Sequence, residues 1–176
     1  LERKVHMAIS LAEYYLERPI RTVLDVGCGE AVWRAPLLKI RPKLNYRGVD
    51  SSEYAVSRFG RTRNIAFADF GQLEQLRFGA PVDLLVCSDV MHYIPDAQLK
   101  RGLKGFSELC GGLAFLEIWS KEDDIIGDKI GFGLPEGHCR KINSLVKIEH
   151  DRHQHNPADI SLYVQGPDQF AVGVGL

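Results

Sequence analysis

Residues 22–33 read TVLDVGCGEAVW. Val23, Leu24 and Val26 form a short apolar run of the kind that fills a buried strand, yet Asp25 stands inside it. Gly27 and Gly29 follow at once, with Cys28 between them, and break the strand. Glycine lets a backbone turn sharply and approach a ligand closely, and a helix opening beyond such a turn exposes free N–H groups. A carboxylate just before the turn repels a pyrophosphate and attracts a cation. The stretch predicts a strand, a binding turn and a helix, with a preference for a positively charged ligand.

Outward from it, strands and helices alternate. Val5, Ala8, Ile9, Ala12 and Leu16 mark one face of a helix over residues 2–17, which stops before Pro19. A helix is expected over 31–40 despite Pro36, then a strand in LNYRGVD (44–50), and Ser51, Ser52 and Glu53 open another helix. NIAFAD (64–69) and VDLLVCS (82–88) read as further strands, the second apolar enough to be buried on both faces. Leu99, Leu103, Phe106, Leu109 and Cys110 stripe a helix after Pro95, and GGLAFLEIW (111–119) is a fifth strand. Two segments near 145–150 and 159–165 look like a strand pair joined through Asn156 and Pro157. This alternation implies a doubly wound α/β fold: a mostly parallel sheet with helices on both faces, formed by residues 1–176 as a single domain. Such sheets bind ligands beyond the carboxyl ends of their strands.

The strand ends are correspondingly polar. The first carries Asp25, Gly27 and Gly29; the second ends in Asp50, twenty-one residues after Gly29; the third in Asp69 and Phe70; the fourth in Ser88 and Asp89. A carboxylate in the position of Asp50 can accept both hydroxyls of a ribose. Dinucleotide binding requires G-x-G-x-x-G, and the third glycine position is occupied by Val32. A nicotinamide-dependent oxidoreductase is disfavoured by Val32 and by Asp25. A nucleoside bearing an ammonium group fits better.

VLDVGCG, GVDSS, FADF and DLLVCSDVMHYIP, in this order and spacing, resemble the successive motifs of the class I S-adenosylmethionine-dependent methyltransferases, over roughly residues 20–120. The resemblance implies a Rossmann-like sheet of seven strands with the last antiparallel, S-adenosylmethionine as cofactor and S-adenosylhomocysteine as its product. It implies that Gly27, Cys28 and Gly29 receive the methionine part, with Asp25 serving its ammonium, often through water. Asp50, with Ser51 beside it, would hold the ribose; Asp69 would accept from the adenine amino group, and Phe70 would offer its amide or ring. Ser88 would lie beneath the transferable methyl. Many family members have a third glycine where this chain has Ala31, a substitution expected to be tolerated.

His92 and Tyr93 follow the fourth strand, on the acceptor side of this fold. His92 is the candidate catalytic base, although the same segment also reads as packing against the cofactor. The fourth strand runs into Ser-Asp-Val-Met, not an Asn/Asp-Pro-Pro-aromatic run, so the expected acceptor is an O or N atom of a small molecule and not a nucleic-acid base. A non-catalytic cofactor- or partner-binding protein on the same fold is the alternative. Specificity is expected to lie in the N-terminal helix and residues 120–145, a glycine-bearing stretch with Phe132, Leu134, His138, Arg140 and Lys141. His150, His153 and His155, and the acidic run Glu122, Asp123 and Asp124 with Asp128, read as solvated segments, so no metal is expected.

Composition agrees with this reading. The 176 residues are 45% hydrophobic and 26% charged, with a formal net charge of −1, which excludes binding of nucleic acid by bulk charge. Apolar runs fall far short of the roughly 20 residues that cross a membrane. Four cysteines without a CxxC pair, and no visible secretory signal, suggest reduced thiols and a cytoplasmic protein.

Overall fold

The computed structural model describes residues 1–118, 160–165 and 170–175. The elements are α1 (Glu2–Leu16), β1 (Thr22–Val26), α2 (Arg34–Ile40), β2 (Asn45–Asp50), α3 (Glu53–Arg63), β3 (Ile65–Phe67), β4 (Val82–Ser88), α4 (Asp96–Leu109), β5 (Cys110–Glu117), β6 (Ile160–Gln165) and β7 (Phe170–Gly175). Short 3-10 helices at Phe70–Glu74 and Met91–Tyr93 follow β3 and β4. The sheet order is β3-β2-β1-β4-β5-β7-β6. Strands β1 to β5 pair in parallel, and β7 pairs antiparallel with both β5 and β6. The mostly parallel Rossmann-like sheet expected from the alternation of elements is present.

Each central strand feeds two cores because successive side chains point to opposite faces. Leu24, Val26, Leu85, Cys87, Ala114 and Leu116 pack with Leu99, Leu103, Phe106 and Leu109 of α4. Val23, Leu84, Val86, Leu113 and Phe115 pack on the other face with Val5, Ala8, Ile9 and Ala12 of α1 and Leu37 of α2. A strand buried on both sides has no polar face, which is why VDLLVCS reads as continuous apolar sequence.

Two local readings are corrected. Helix α2 begins at Arg34 and not at 31, because Ala31 has φ 58, a left-handed conformation that no helix contains. Pro36 is then the third helical residue, where its missing N–H costs nothing. Cys110 opens β5 and does not close α4. The strand expected at 159–165 corresponds to β6, whose described partner is β7; residues 145–150 lie outside the described residues. Among the described residues no helix is long and apolar enough to cross a membrane.

Helix α4 crosses the 3-10 helix Phe70–Glu74 at two glycines. A Cβ on Gly105 would lie 2.2 Å from the Leu73 carbonyl oxygen, and one on Gly102 would lie 2.3 Å from Cδ1 of Phe70. This close approach seats the segment after β3 against the carboxyl end of the sheet. Helix propensity alone predicts that Gly105→Ala stabilises the protein by about 1 kcal/mol. The contact predicts the opposite, a loss of about 1–3 kcal/mol from overpacking, visible as a lower denaturant midpoint.

Candidate functional site

Strand β1 pairs with β2 on one side and β4 on the other, so the strand order reverses direction at β1. The carboxyl ends there frame a crevice. Gly27 and Gly29 enter it with φ 67 and 52, in the left-handed region that favours glycine. The Gly27 N–H donates to the Val49 carbonyl at 2.8 Å, which fixes the turn against β2. The Gly29 N–H donates to Oδ2 of Asp50 at 2.6 Å, and the Ser52 N–H donates to Oδ1 at 2.8 Å. Ser52 in turn caps α3, accepting from the Ala55 N–H at 3.2 Å. One carboxylate therefore ties the glycine turn, the end of β2 and the start of α3. An ionised carboxylate takes about four donors, so Asp50 keeps acceptor capacity for a ligand.

Asp25 lies beneath, 2% exposed. The Tyr46 hydroxyl donates to its Oδ2 at 2.7 Å and is its sole hydrogen-bond donor among the described residues. Burial pushes the Asp25 carboxyl up to about 7; the Tyr46 bond opposes this, and the nearby charge of Asp50 adds to it. Cys28 packs beside the pair, over Gly48, where a Cβ would lie 2.6 Å from its sulfur. Burial, then Asp25 and Asp50, push its thiol up to about 12, so Cys28 is a protonated packing group and not a nucleophile.

The cleft above is lined by Gly27, Asp50, Ser51, Phe70, Val90 and Ile94, among others. It is narrow because Val90 leans on the glycine turn: a Cβ at Gly27 would lie 2.4 Å from a Val90 methyl. The ring of Phe70 is buried against Phe106, with centroids 5.7 Å apart, and is therefore committed to the core. Its backbone amide stands at the first position of the 3-10 helix, where N–H groups lack an intrahelical acceptor. Asp69 is exposed, its N–H donating to Oε1 of Gln72 at 2.8 Å. His92 is 3% exposed, with its ring 4.2 Å from that of Tyr93. Thus Gly27, Asp50, Ser51 and Phe70 share one cleft, Asp69 lines a separate pocket with Gln98 and Arg101, and Asp25 and Cys28 are buried beside the glycine turn. Trp119, the 120–145 segment, the acidic run and His150, His153 and His155 lie outside the described residues, as does Cys139.

Sequence reasoning missed three partners. In the sequence Tyr46 reads only as a strand residue; its bond to Asp25 depends on the neighbouring strand. Ser88 donates to Oε2 of Glu117 at 2.5 Å, and Lys4 of α1 reaches Oε1 of the same carboxylate. Glu117 is 8% exposed at the end of β5. An acid closing an apolar strand was the available signal, but Lys4 is 113 residues away in sequence.

A crevice with a glycine turn, a carboxylate clamp and a buried acid defines a nucleoside-binding α/β protein. The chain matches the family described as methyltransferase domain over residues 24–112, and it belongs to that family of S-adenosylmethionine-dependent methyltransferases. No curated protein matches it in sequence. Similar solved structures include the plantazolicin methyltransferase BamL in complex with a triazolic desmethylPZN analog and SAH. It has 15% identity and a TM-score of 0.73, covering 94% of this chain and 67% of that one. A TehB-like SAM-dependent methyltransferase from Corynebacterium glutamicum has 15% identity and a TM-score of 0.65, covering 99% and 86%. Magnesium protoporphyrin IX methyltransferase (ChlM) from Synechocystis PCC 6803 with bound SAH has 19% identity and a TM-score of 0.64, covering 98% and 82%. These likenesses establish a common fold.

The raised Asp25 carboxyl has a stability consequence. Its folded state holds a proton that the unfolded chain releases above about pH 4, so wild-type stability falls as pH rises from there to about 7. Asp25→Asn removes this dependence. The stability difference, variant minus wild type, should grow by up to about 1.4 kcal/mol per pH unit across that window and then level off, as measured by denaturant unfolding at each pH.

Proposed function

We propose that this methyltransferase transfers a methyl group to an oxygen or nitrogen of a small molecule, with its cofactor held over the ends of β1, β2 and β3. When bound, S-adenosylmethionine supplies an electrophilic methyl carbon on a sulfonium. The observation that carries the reading is Asp50, with Gly29 and Ser52 orienting its two oxygens and spare capacity for ribose hydroxyls.

The remaining groups fit the same ligand. Gly27 and Gly29 offer a surface without side chains to the methionine part, and Cys28 packs behind them. Asp25 favours a cation at the turn, its charge reaching the ammonium through intervening water. Asp69 accepts from the adenine amino group and Phe70 donates its backbone amide. Ser51 borders the ribose, and Ser88 lies below the methyl. The burial of His92 favours its packing role over that of a base. The small-molecule assignment rests on the Ser-Asp-Val-Met sequence after β4, and a cytoplasmic location, expected from the cysteine pattern, belongs to the same proposal.

Calorimetric titration tests this. S-adenosylmethionine and S-adenosylhomocysteine should bind and NAD should not. Asp50→Ala should weaken both by about 10- to 100-fold, the worth of hydrogen bonds to a charged group; unliganded stability is followed in parallel, because Asp50 also holds Gly29 and Ser52. Failure of both adenosyl ligands to bind folded protein would refute the site. Because a cationic ligand favours ionised Asp25, affinity should rise with pH until about 7 and then flatten. In Asp25→Asn this rise should vanish.

A further inference from the structure

Two ionic clusters occupy opposite ends of the same sheet, and they differ in kind. At the amino end, Asp83 accepts from Arg18 at 2.6 Å on one oxygen, and from the Arg21 and Thr22 N–H groups at 2.6 and 3.2 Å on the other. The backbone N–H of Asp83 donates back to the Thr22 hydroxyl at 2.9 Å. This is a closed structural network joining β1 to β4. At the carboxyl end, Glu117 receives one donor on each oxygen among the described residues, from Lys4 and Ser88, which fill about two of its four acceptor positions.

Position separates them further. Asp25 is in register with Val86, so Gly27 and Ser88 each lie two residues beyond that pair, and Ser88 is in register with Glu117. Glu117 therefore stands level with the glycine turn, two strands across the sheet from it, on the side of the crevice away from Asp50. A ligand with its ribose on Asp50 leaves this side for the second reactant. The carboxylate is also on the α1 face, sharing the side of β5 that carries Leu113 and Phe115. An acid there costs desolvation that an apolar residue would not.

Building on the function proposed above, we infer that Glu117, positioned by Lys4 and Ser88, binds the methyl acceptor and that the acceptor is a protic nucleophile, an alcohol, phenol or amine, and not a carboxylate. The O–H or N–H donates to a Glu117 oxygen, and that oxygen takes the proton. The acceptor heteroatom forms its bond to the methyl carbon as the carbon–sulfur bond breaks, leaving its electron pair on sulfur. Charge balances: the sulfonium becomes a neutral thioether and the carboxylate becomes a carboxylic acid. A carboxylate acceptor would meet a like charge at Oε2, the oxygen that Lys4 does not pair.

Ring compounds that differ in one group test this: phenol, benzyl alcohol, benzylamine and benzoate, titrated at millimolar concentration into protein saturated with S-adenosylhomocysteine. At least one protic probe should bind, and benzoate should not. Glu117→Gln should weaken that binding about tenfold or more while leaving affinity for S-adenosylhomocysteine within about threefold. It should lower methyl transfer to the same probe by about 100-fold or more, the usual worth of a positioned base, with partial recovery in Glu117→Asp. Lys4→Met removes the competing ammonium, so benzylamine should bind several-fold tighter, whereas a mere anchor for α1 predicts weaker binding. Benzoate binding as well as the others, binding by none of the protic probes, or unchanged behaviour of Glu117→Gln overturns the inference. Because S-adenosylhomocysteine binding is measured first, a failed cofactor site is distinguished from a failed acceptor site.

Discussion

Asp50 holds the crevice together through two short hydrogen bonds from backbone N–H groups that belong to different segments. The Gly29 bond decides where the turn after β1 stops, and the Ser52 bond decides where α3 begins. Together with the Gly27 and Cys28 N–H groups, which donate to the Val49 carbonyl, these two bonds set the shape of the cleft. This also explains why the turn needs glycine at 27 and 29: with φ near 60 at both, the chain doubles back within reach of the carboxylate. Ala31 takes the same left-handed conformation without glycine's freedom, at a cost of about 1–2 kcal/mol, and this strain keeps α2 from starting before Arg34.

Polar groups buried in a parallel sheet must be compensated locally, and this chain does so differently at each end. Asp83 is desolvated, yet Arg18 and the N–H groups of Arg21 and Thr22 outweigh this and hold its carboxyl below the ordinary range. That end is ionised, saturated and structural. Asp25, with a single neutral donor, is pushed the other way. The contrast agrees with the site proposed at the carboxyl end of the sheet. Saturated charges stabilise the fold; under-compensated ones are tolerated where a ligand completes them.

Much of the architecture was legible because it rests on local patterns. The apolar run of β4, the 3.6-residue stripes of α1 and α4, and the glycines after β1 each read directly from neighbouring residues. The place of Asp50 at the end of β2 was legible too, through its spacing from the turn. What escaped were contacts set by register between distant segments. Tyr46 meets Asp25 only because β1 and β2 pair in parallel, and Lys4 meets Glu117 only once α1 lies across β4 and β5. Phe70 escaped differently: its ring was open to either core or ligand until Gly102 brought α4 close enough to claim it.

The burial of Asp25 shows how a binding requirement shapes a core that stability alone would build otherwise. An asparagine, or an apolar residue of similar size, would avoid the desolvation of a carboxylate at the centre of the sheet. The protein instead places Tyr46 against it, which satisfies one oxygen and leaves the charge only half compensated. At neutral pH the group is balanced between its two protonation states. A cation arriving at the turn favours the ionised form, and below about pH 7 releasing the proton costs part of that ligand's affinity. The desolvation of Asp25 and the proposed preference for a positively charged ligand then have one physical origin. A pyrophosphate would instead favour the protonated form of Asp25 and gain nothing from its charge.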